Sequence, residues 1–447
     1  MPGAGLIGRS AVVIGAGMAG LTAARALADS FERVTVLERD TLPEAPAFRA
    51  GTPQARHVHV MLGGGVRALG ELVPGWEPAM GAAGAARLLT ARVRRELPGY
   101  DPFPPRDFGG RGFSASRTLI EHILRGEILR HPSIRMFGDC RVLRLLADDG
   151  RSSVAGVSYE RAGGAVETQR TDLVVDASGR GTPTLAFLQA SSGEVPAETV
   201  IGIDMGYATT TFDIPSDAGE DWDGVLHLPD APRRARRALL MPIEGHRWLV
   251  GLAGHRDEKP PGDWDGYLEF ARSLRTPTIY RAIRTARRAG PIVRFRFPAS
   301  VRRHFDRLTR FPRGLLPVGD AICRFNPVMG QGMSVAAKQA CVLRDLLTAR
   351  SSAPDPLGGL AEAFFRDAEP IIDAPWEIAA IPDLVYPETE GERPPGFERS
   401  VAYATALRRL AAVDADVHRL TWEVQQLLRP ASALRDPGLV ERVTQLV

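Results

Sequence analysis

The first forty residues constrain the fold of this chain more than any other stretch. The apolar run Ser10–Ile14 leads into Gly15, Gly17 and Gly20, and small apolar residues at helical spacing follow. This order predicts a strand, a tight turn and a helix, as in a dinucleotide-binding βαβ unit. We expect Gly15 to make the turn, Gly17 to admit a pyrophosphate, and Gly20 to let the helix pack on the strand.

An acidic residue completes this unit. Glu38 ends the second apolar run, Val34–Leu37, where a carboxylate can hold a ribose 2′-hydroxyl. A 2′-phosphate would face a second anion there, so Glu38 favours FAD or NAD over NADP. The N-terminus of the helix would offer free N–H groups to the phosphates. The motif leaves the choice between FAD and NAD open, and a glycine turn in another kind of βαβ unit is the alternative.

The composition limits the function classes. The chain has 447 residues, of which 44% are apolar and 24% charged, which is typical of a globular protein of two or three domains. A net charge of +3 gives no electrostatic argument for nucleic-acid binding. Cys140, Cys323 and Cys341 form no CxxC pair, so neither a disulfide framework nor a metal site is indicated. Without a signal peptide or an apolar run of roughly 18 residues, we expect a cytoplasmic protein with no membrane insertion.

Two later segments repeat the pattern of a strand followed by a glycine turn. The run Thr171–Asp176 reads as a buried strand, and the turn after it contains Gly179. A further strand ends at Gly319, so that Asp320 lies at its carboxyl end, where open α/β sheets bind ligands. The carboxylates of Asp176 and Asp320 are therefore candidate nucleotide contacts, and Asp320 could accept hydrogen bonds from ribityl hydroxyls.

A long helix begins just after Asp320. The run Gly330-Gln331-Gly332 opens it, and helical spacing continues to Leu347. A helix N-terminus pointed at a flavin would stabilise negative charge on the reduced ring. An ordinary helix bounded by glycines is the alternative.

Basic and imidazole side chains lie at two other candidate positions. Arg56, His57 and His59 precede a helix and could line a cofactor, although a purely structural role for the histidines is an equal alternative. Arg117 lies in the first turn of a helix capped by Ser116, which is an unfavourable end for a cation unless an anion meets it. A cofactor pyrophosphate would be such an anion.

The remaining segments predict a sheet and a helical end. Residues 86–94 alternate as one half-exposed strand, and residues 190–310 contain several more strands with one helix at 264–274. We expect this half-open antiparallel sheet to form a pocket wall. After a linker at 351–358 the chain looks helical, but six prolines should break the stretch 370–395. Residues 401–428 read as one long helix of a cap.

The three glycine-containing segments, in this order over residues 8–350, resemble FAD-dependent monooxygenases of the para-hydroxybenzoate hydroxylase fold. The run Pro53–His59 and the helical end resemble bacterial polyketide-tailoring oxygenases, nearest to squalene-epoxidase-like epoxidases. The resemblance implies an α/β fold with a Rossmann-type FAD-binding domain at 8–84, 111–190 and 311–350. A mostly antiparallel substrate-binding domain at 85–110 and 191–310 would be interleaved with it, and a helical C-terminal domain would occupy 359–447.

The resemblance also implies a tight, non-covalent FAD site. Arg117 would contact the pyrophosphate or ribityl chain, the backbone near Val142 the adenine, and Asp320 the ribitol and pyrophosphate. The residues expected to line the isoalloxazine ring are Pro327, Gly330, Gln331 and Gly332. The full set of expected cofactor contacts is Gly15, Gly17, Ala19, Gly20, Glu38, Arg39, Arg56, His57, Arg117, Val142, Asp176, Gly179, Gly319, Asp320, Gly330, Gly332 and Met333.

The activity implied by the resemblance is monooxygenation. NAD(P)H, bound transiently or acting through a separate flavin reductase, would reduce the FAD. A flavin C4a-hydroperoxide would then insert one oxygen, by epoxidation or hydroxylation, into an apolar, polyketide-derived substrate. That substrate could be free or tethered to a carrier protein. The resemblance requires no protein nucleophile and no metal, and it leaves the oligomeric state open.

Three other functions remain as alternatives. Flavin-dependent halogenases share the FAD signatures, but Trp376–Pro382 only partly matches their Trp-x-Trp-x-Ile-Pro motif, and the first third of the chain has no lysine. A flavin-dependent reductase of prenyl double bonds is a nearer alternative, and a non-enzymatic flavoprotein is a different class. Arginine runs at 233–237 and 281–288 could dock an acidic carrier protein or could be solvated faces.

Overall fold

The computed structural model describes residues 5–150, 152–216, 218 and 220–446. The strands in chain order are β1 Gly8–Ile14, β2 Phe31–Leu37, β3 Ala86–Leu89, β4 Val93–Glu96, β5 Arg111–Ser114, β6 Ile134–Phe137, β7 Cys140–Ala147, β8 Val154–Arg161, β9 Val166–Arg170, β10 Leu173–Asp176, β11 Glu198–Ile201, β12 Met205–Asp213, β13 Gly224–His227, β14 Arg237–Ile243, β15 Arg247–His255, β16 Val293–Phe297, β17 Ser300–Arg303, β18 Leu315–Pro317 and β19 Cys323–Arg324. The α-helices are α1 Met18–Leu27, α2 Gly63–Leu72, α3 Trp76–Ala82, α4 Arg117–Ile128, α5 Thr182–Ser191, α6 Trp264–Arg272, α7 Thr278–Ile283, α8 Gly332–Ala349, α9 Leu360–Leu384, α10 Phe397–Val413, α11 Ala415–Gln425 and α12 Pro437–Thr444.

A parallel sheet with the strand order β18-β10-β1-β2-β6 organises the first half of the fold. Its central strands β1 and β10 are short apolar runs, because they are covered on both faces. Helices α1 and α8 pack together within the large core on one side, and the antiparallel sheet β7-β8-β9 packs on the other. The carboxyl ends of the parallel strands therefore share one edge of the sheet, as the sequence predicts.

A second sheet has the order β16-β12-β15-β14-β13-β4, and all its pairs are antiparallel except β13 with β4. Helices α6 and α7 cover one face with an aromatic core that includes Phe212, Trp248 and Tyr267. The prediction of one strand over residues 86–94 is wrong. A 3-10 turn at Thr90–Arg92 divides it, so that β3 pairs with β5 while β4 joins the six-stranded sheet.

The C-terminal region corrects two further predictions. Helix α9 is continuous through Pro370, Pro375 and Pro382 rather than broken by them. Its side chains Phe364 and Ala368 are fully buried in the core shared with α1 and α8, and this burial offsets the backbone hydrogen bonds that the prolines remove.

The long helix predicted at 401–428 is two helices, α10 and α11. Asp414 lies between them with extended backbone, and its carboxylate accepts hydrogen bonds from the N–H groups of Asp416 at 2.9 Å and Val417 at 3.0 Å. These bonds cap the start of α11 and end α10. Helices α10–α12 pack against Leu97 and Phe103. Among the described helices, none combines the length and apolarity needed to cross a bilayer.

Candidate functional site

The turn between β1 and α1 has a backbone that only glycine accommodates at two positions. Gly15 has φ +97°, and a Cβ on Gly20 would lie 1.8 Å from the carbonyl oxygen of Gly15. A Cβ on Gly17, by contrast, would meet nothing within 4 Å in the described structure. The turn is therefore tight on the protein side and open at Gly17, which is the shape that a pyrophosphate needs.

Glu38 is buried at the end of β2 and holds this turn in place. Its Oε2 accepts a hydrogen bond from the N–H of Ala16 at 2.7 Å, and its Oε1 accepts one from the N–H of Asp40 at 3.1 Å. A carboxylate oxygen has more than one acceptor site, so Glu38 retains capacity for a ribose hydroxyl. The sequence predicts this position from spacing alone.

Four buried charged residues form a chain that begins at Glu38, and we call them the charged groove below. Arg49 lies 3.0 Å from the Oε2 of Glu38 and 3.1 Å from the Oε2 of Glu121, and Arg117 donates to the Oε1 of Glu121 at 2.9 Å. Burial alone would raise the pKa of Glu121, but Arg117 and Arg49 hold that pKa below its ordinary value. The anion that meets Arg117 in this structure is therefore Glu121, and its predicted contact with a pyrophosphate stays a prediction.

Arg49 is the member of this chain that the sequence analysis missed. It lies in an irregular loop with no spacing rule to mark it, yet its side chain is only 3% exposed. Burial would lower its pKa, but Glu121 and Glu38 raise it above the ordinary value. Its two terminal nitrogens already contact Glu38, Asp40, Glu121 and the carbonyl oxygen of Ala16. Its Nε is therefore the donor that remains for a phosphate oxygen.

Asp320 lies at the carboxyl end of β18 beside the start of α8. A Cβ on Gly332 would be 3.8 Å from the Oδ1 of Asp320. Burial raises the pKa of Asp320, and the charges of Arg324, Arg117 and Arg303 only partly offset that rise. Among the described residues no side chain or backbone group donates a hydrogen bond to this carboxylate, so it offers acceptors to a ligand with hydroxyl groups.

These features fit an FAD molecule. Glu38 and Asp320 would accept hydrogen bonds from ribose and ribityl hydroxyls, Arg49 and Arg117 would face the phosphates, and the N-terminus of α8 would face the ring. The acceptor capacity left at Asp320 and the open space at Gly17 are the observations that favour this assignment. The individual contacts remain predictions.

Several other predicted contacts lie around the same edge of the sheet. Gly319 lies two residues after the end of β18 and donates its N–H to the Oε1 of Gln339 at 2.8 Å. Val142 lies in β7 opposite Tyr159, and the exposed Arg56 packs its guanidinium 4.2 Å from the ring centre of Phe48. The other predicted contacts are placed by their elements: Ala19 lies in the first turn of α1, Gly332 and Met333 begin α8, Gly330 and Gln331 precede it, and Arg39 and Gly179 follow β2 and β10. Their predicted cofactor contacts stay predictions.

The carboxylate of Asp176 is already used within its own loop. It accepts hydrogen bonds from the N–H of Ser178 at 3.0 Å, the N–H of Thr184 at 3.1 Å and the hydroxyl of Thr184 at 2.6 Å. Asp176 is fully buried, so its side chain shapes the turn after β10. Its predicted contact with a nucleotide stays a prediction, and this geometry does not require it.

A cavity lies against the open face of the six-stranded sheet. Its walls come from the sheet, from residues 54–59 and from the loop just before α8, which contains Pro327. The lining residues are Gln54, His57, Val58, His59, Tyr207, Thr209, Leu226, His227, Leu228, Arg237, Ala238, Leu239, Gly251, Ala253, Phe295, Pro327, Val328 and Met329. We call it the substrate pocket below.

His57 lies in this pocket between the aromatic rings of Tyr207 and Phe295. Its Nδ1 is 2.7 Å from the hydroxyl oxygen of Thr209, and its Nε2 is buried with no partner among the described residues. Burial, with a smaller effect from Arg56, lowers the pKa of His57 to about 4. His57 is therefore a neutral residue of the pocket wall.

His59 connects the pocket with the charged groove. Its Nδ1 donates to the carbonyl oxygen of His57 at 2.9 Å. Burial and the charge of Arg117 are the main effects that lower the pKa of His59 to about 3. Because His59 lines the pocket and its pKa is lowered by the charge of Arg117, the pocket lies next to the charged groove.

The loop before α8, which lines the substrate pocket, is fixed by buried hydrogen bonds that the sequence analysis missed. Asn326 accepts a hydrogen bond from the hydroxyl of Tyr207 at 2.9 Å and donates to the Oδ2 of Asp383 at 2.8 Å. Burial raises the pKa of Asp383 to about 6 against the opposing effects of Arg237 and Asn326. Since Asp383 belongs to α9, the C-terminal region supports the predicted flavin-lining loop.

Comparisons with known proteins agree with this geometry. A family model described as "FAD binding domain" matches residues 9–353. The Mycobacterium tuberculosis protein Rv3254 is 33% identical over 423 residues, which cover 87% of this chain and 83% of that protein. Kynurenine 3-monooxygenase of Salinispora tropica is 26% identical over 380 residues, covering 78% of this chain and 74% of that enzyme.

The fold also matches that of a solved structure. A flavoprotein/dehydrogenase from Cytophaga hutchinsonii superposes with a TM-score of 0.69 at 14% identity, covering 98% of this chain and 96% of that one. The described residues hold no group of three or more His, Cys, Asp or Glu side chains that could bind a metal ion. The family match spans the turn at Gly15, the turn at Gly179 and the start of α8. The chain therefore belongs to the FAD binding domain family, with the para-hydroxybenzoate hydroxylase fold of the FAD-dependent monooxygenases.

Proposed function

We propose that this chain is a monooxygenase that uses NAD(P)H and O₂ to insert one oxygen atom into a largely apolar small molecule. The observation that carries the proposal is the position of the substrate pocket. The loop Pro327–Met329 lines this pocket and leads directly into the start of α8. A molecule in this pocket would lie beside the ring of an FAD held in the charged groove.

The chemistry is divided between the cofactor and the protein. FAD, when bound, accepts two electrons and activates O₂. The N-terminus of α8 would stabilise negative charge on a flavin ring held beside it. Asn326 fixes the loop before that helix through its bonds to Tyr207 and Asp383. The protein therefore supplies orientation and charge rather than a nucleophile.

The imidazoles of the pocket support this division. With pKa values of about 4 and about 3, His57 and His59 are neutral at physiological pH. Neutral, buried side chains keep water out of the site and protect a reactive oxygen species from hydrolysis. Apolar groups such as Leu226, Leu239 and Phe295 complete the wall and favour a hydrophobic substrate.

The pocket wall indicates the kind of substrate, and the glycine motif indicates how the reductant acts. A polyketide-derived ring or alkene fits a wall that mixes aliphatic, aromatic and neutral polar groups, and hydroxylation and epoxidation are both open to it. No second GxGxxG sequence is present, so NAD(P)H binds transiently or acts through a separate reductase.

A carrier protein that holds the substrate would dock through exposed arginines. Arg237 is buried and Arg236 pairs with Glu258 at 3.1 Å, so the run 233–237 is not one exposed basic face. The run 281–288 offers Arg284 and Arg288 at the surface and would be the docking face instead.

Isotope labelling tests the proposed reaction. The FAD-loaded protein would be incubated with a panel of aromatic and polyene polyketides, NADH or NADPH, and ¹⁸O₂, with and without a flavin reductase. We expect a product that carries one labelled oxygen. A reduced product without label would favour the reductase, a chlorinated or brominated product in halide buffer would favour the halogenase, and absence of any turnover would favour the non-enzymatic flavoprotein.

A variant links the outcome to this pocket. Asn326→Leu removes both bonds that fix the loop, so NAD(P)H oxidation should continue while product per NAD(P)H falls. Thr309→Val, which removes an exposed hydroxyl bonded to Glu194 at 2.7 Å, is the control and should leave this ratio unchanged.

A further inference from the structure

Arg237 brings a buried positive charge to the wall of the substrate pocket. It is 4% exposed at the start of β14 and pairs across the sheet with Ala253, which in turn pairs with Tyr207. Residues directly opposite one another on paired strands share a face, so Arg237 lies on the pocket face with Tyr207. It is accordingly one of the lining residues.

This charge lacks a close anionic partner. Within the described part of the chain, Arg237 forms no ion pair within 4.0 Å, and its Nε is buried without a hydrogen-bond partner. The carboxylate of Asp383 acts on it only from a longer distance and is itself hydrogen-bonded to Asn326. The neutral hydroxyl of Tyr386 faces Arg237 and donates to the backbone oxygen of Arg234 at 3.1 Å, so it offers Arg237 a polar neighbour but no negative charge.

The rest of the pocket cannot balance Arg237. No acidic residue lines the pocket in the described structure, and His57 and His59 are neutral. A guanidinium stays protonated even when buried, and leaving it unpaired is costly. Its planar pair of N–H donors matches two oxygens of a carboxylate, or the oxygen of an ionised enol or phenol.

We propose that Arg237 is a substrate-binding residue that recognises an anionic oxygen group of the substrate. This inference rests on the proposed function, because it takes the pocket as the substrate site. It narrows the substrate to a hydrophobic molecule that carries one acidic group. Binding of that group at Arg237 would fix which part of the molecule faces the loop Pro327–Met329.

Binding of matched probe pairs tests the proposal without any turnover. The FAD-loaded protein would be titrated by calorimetry with benzoate, cinnamate and 2-naphthoate and, separately, with the three corresponding primary amides. We expect at least one acid to bind tenfold or more tightly than its amide. If no acid in the panel binds more tightly than its amide, the proposal is overturned.

Variants then assign the preference to this side chain. In Arg237→Met the advantage of the acid over the amide should disappear, while Arg233→Met, at a side chain 82% exposed, should retain it. Arg237→Lys keeps the charge but loses the fork, so acid binding should weaken at least threefold. If the acid still binds more tightly than the amide in Arg237→Met, the proposal is contradicted. Unchanged acid affinity in Arg237→Lys contradicts it as well. The lysine variant therefore tests the proposal even if the methionine variant does not fold.

Thermal unfolding separates ligand binding from a structural role. Removal of an unpaired buried charge should leave the melting temperature of Arg237→Met equal to or above that of the parent protein. A large decrease would show that Arg237 serves mainly as the partner of Asp383. Labelled oxygen in a product without acid preference would refute this inference alone, whereas acid preference without oxygen insertion would refute the proposed function alone.

Discussion

The charged groove and the substrate pocket both bury arginines, but they surround them differently. In the groove, Arg49 and Arg117 alternate with Glu38 and Glu121 at distances of about 3 Å, so each charge has an opposite partner. In the pocket, Arg237 has no such partner among the described residues. The charges of the groove are therefore balanced by protein groups, whereas the charge of Arg237 in the pocket is not.

The two regions also differ in what holds their backbone. The groove depends on close contacts between neighbouring segments, such as Gly20 against Gly15, and on the hydrogen bond that the N–H of Ala16 donates to Glu38. The loop of the pocket depends on Asn326 and on an acid from the distant helix α9. We therefore expect groove substitutions to act mainly on folding, and pocket substitutions to act mainly on pH dependence and ligand binding.

The largest expected effect is at Gly20. In Gly20→Val a Cβ would have to occupy a position 1.8 Å from the carbonyl oxygen of Gly15, so α1 must move away from β1. We expect a loss of more than about 4 kcal/mol of stability, seen as insoluble expression or absence of bound flavin absorbance.

Gly17→Ala is the matched control for this substitution. The added methyl group meets nothing in the described structure, and the backbone of Gly17 is extended at φ −77°. The apo protein should keep its stability within about 1 kcal/mol, while its FAD affinity falls by roughly tenfold or more because the methyl group occupies space for the pyrophosphate. Equal FAD affinity in Gly17→Ala and the parent protein would remove the pyrophosphate from this position.

The next effect is expected at Arg49. Arg49→Ala leaves the buried carboxylates of Glu38 and Glu121 without their shared cation. Breaking a buried ion pair on one side costs about 3–5 kcal/mol, which urea unfolding of the apo protein would measure.

Arg25→Ala provides the comparison, because Arg25 in the last turn of α1 pairs with the exposed Asp29 just after the helix at 2.8 Å. This change should cost about 0.5 kcal/mol or less. Similar losses at the two positions would mean that the groove charges are more solvated than their burial indicates.

Acid pH should affect the pocket through His57. The pKa of His57 is about 4 in the folded protein, below the ordinary value of 6.5, so the unfolded chain binds its proton first as pH falls. Stability is then complete above about pH 6.5 and decreases toward pH 4, and the contribution of His57 is about 2 kcal/mol between pH 7.5 and 5.

Unfolding of the parent protein and of His57→Gln at pH 7.5 and 5 would measure this contribution. The glutamine variant should lose about 2 kcal/mol less than the parent over that interval. His131→Gln is the control, because His131 lies outside the pocket, half-buried beside Asp29. Parallel pH profiles for the parent and His57→Gln would show that His57 is charged in the folded pocket.

The same contrast explains how much could be predicted from the sequence. Gly15, Gly20, Glu38 and Asp320 belong to segments whose strand, turn and helix pattern is local, and their geometry has a fixed spacing. Most strands of the second sheet were also predictable from alternation. The family comparisons confirm the predicted fold and the FAD binding domain.

The missed residues depend on contacts between distant segments. Asn326 meets Tyr207 from 119 residues away and Asp383 from 57 residues away, and Arg49 meets Glu121 from 72 residues away. No periodicity signals such pairs. The same reason explains the error in α9, because its prolines argue locally against a helix while burial against α1 and α8 supports one.

The smallest effect we predict is at Asp383, where the pH dependence has the opposite sign. The pKa of Asp383 is about 6 in the folded protein, above the ordinary 3.8, so the unfolded chain ionises first as pH rises. Ionisation therefore favours unfolding, and stability decreases by about 1 kcal/mol between pH 5 and 8. Asp383→Asn retains an oxygen that can accept from Asn326 and removes the titration, so its urea midpoint should not show this decrease. The groups that face Asp383 are Arg237, Asn326, Tyr207 and Tyr386, and of these only Arg237 carries a charge that could reverse the sign. A parent protein that gains stability over this interval relative to Asp383→Asn would mean that Arg237 is paired with Asp383 after all, and the contrast between groove and pocket would no longer hold.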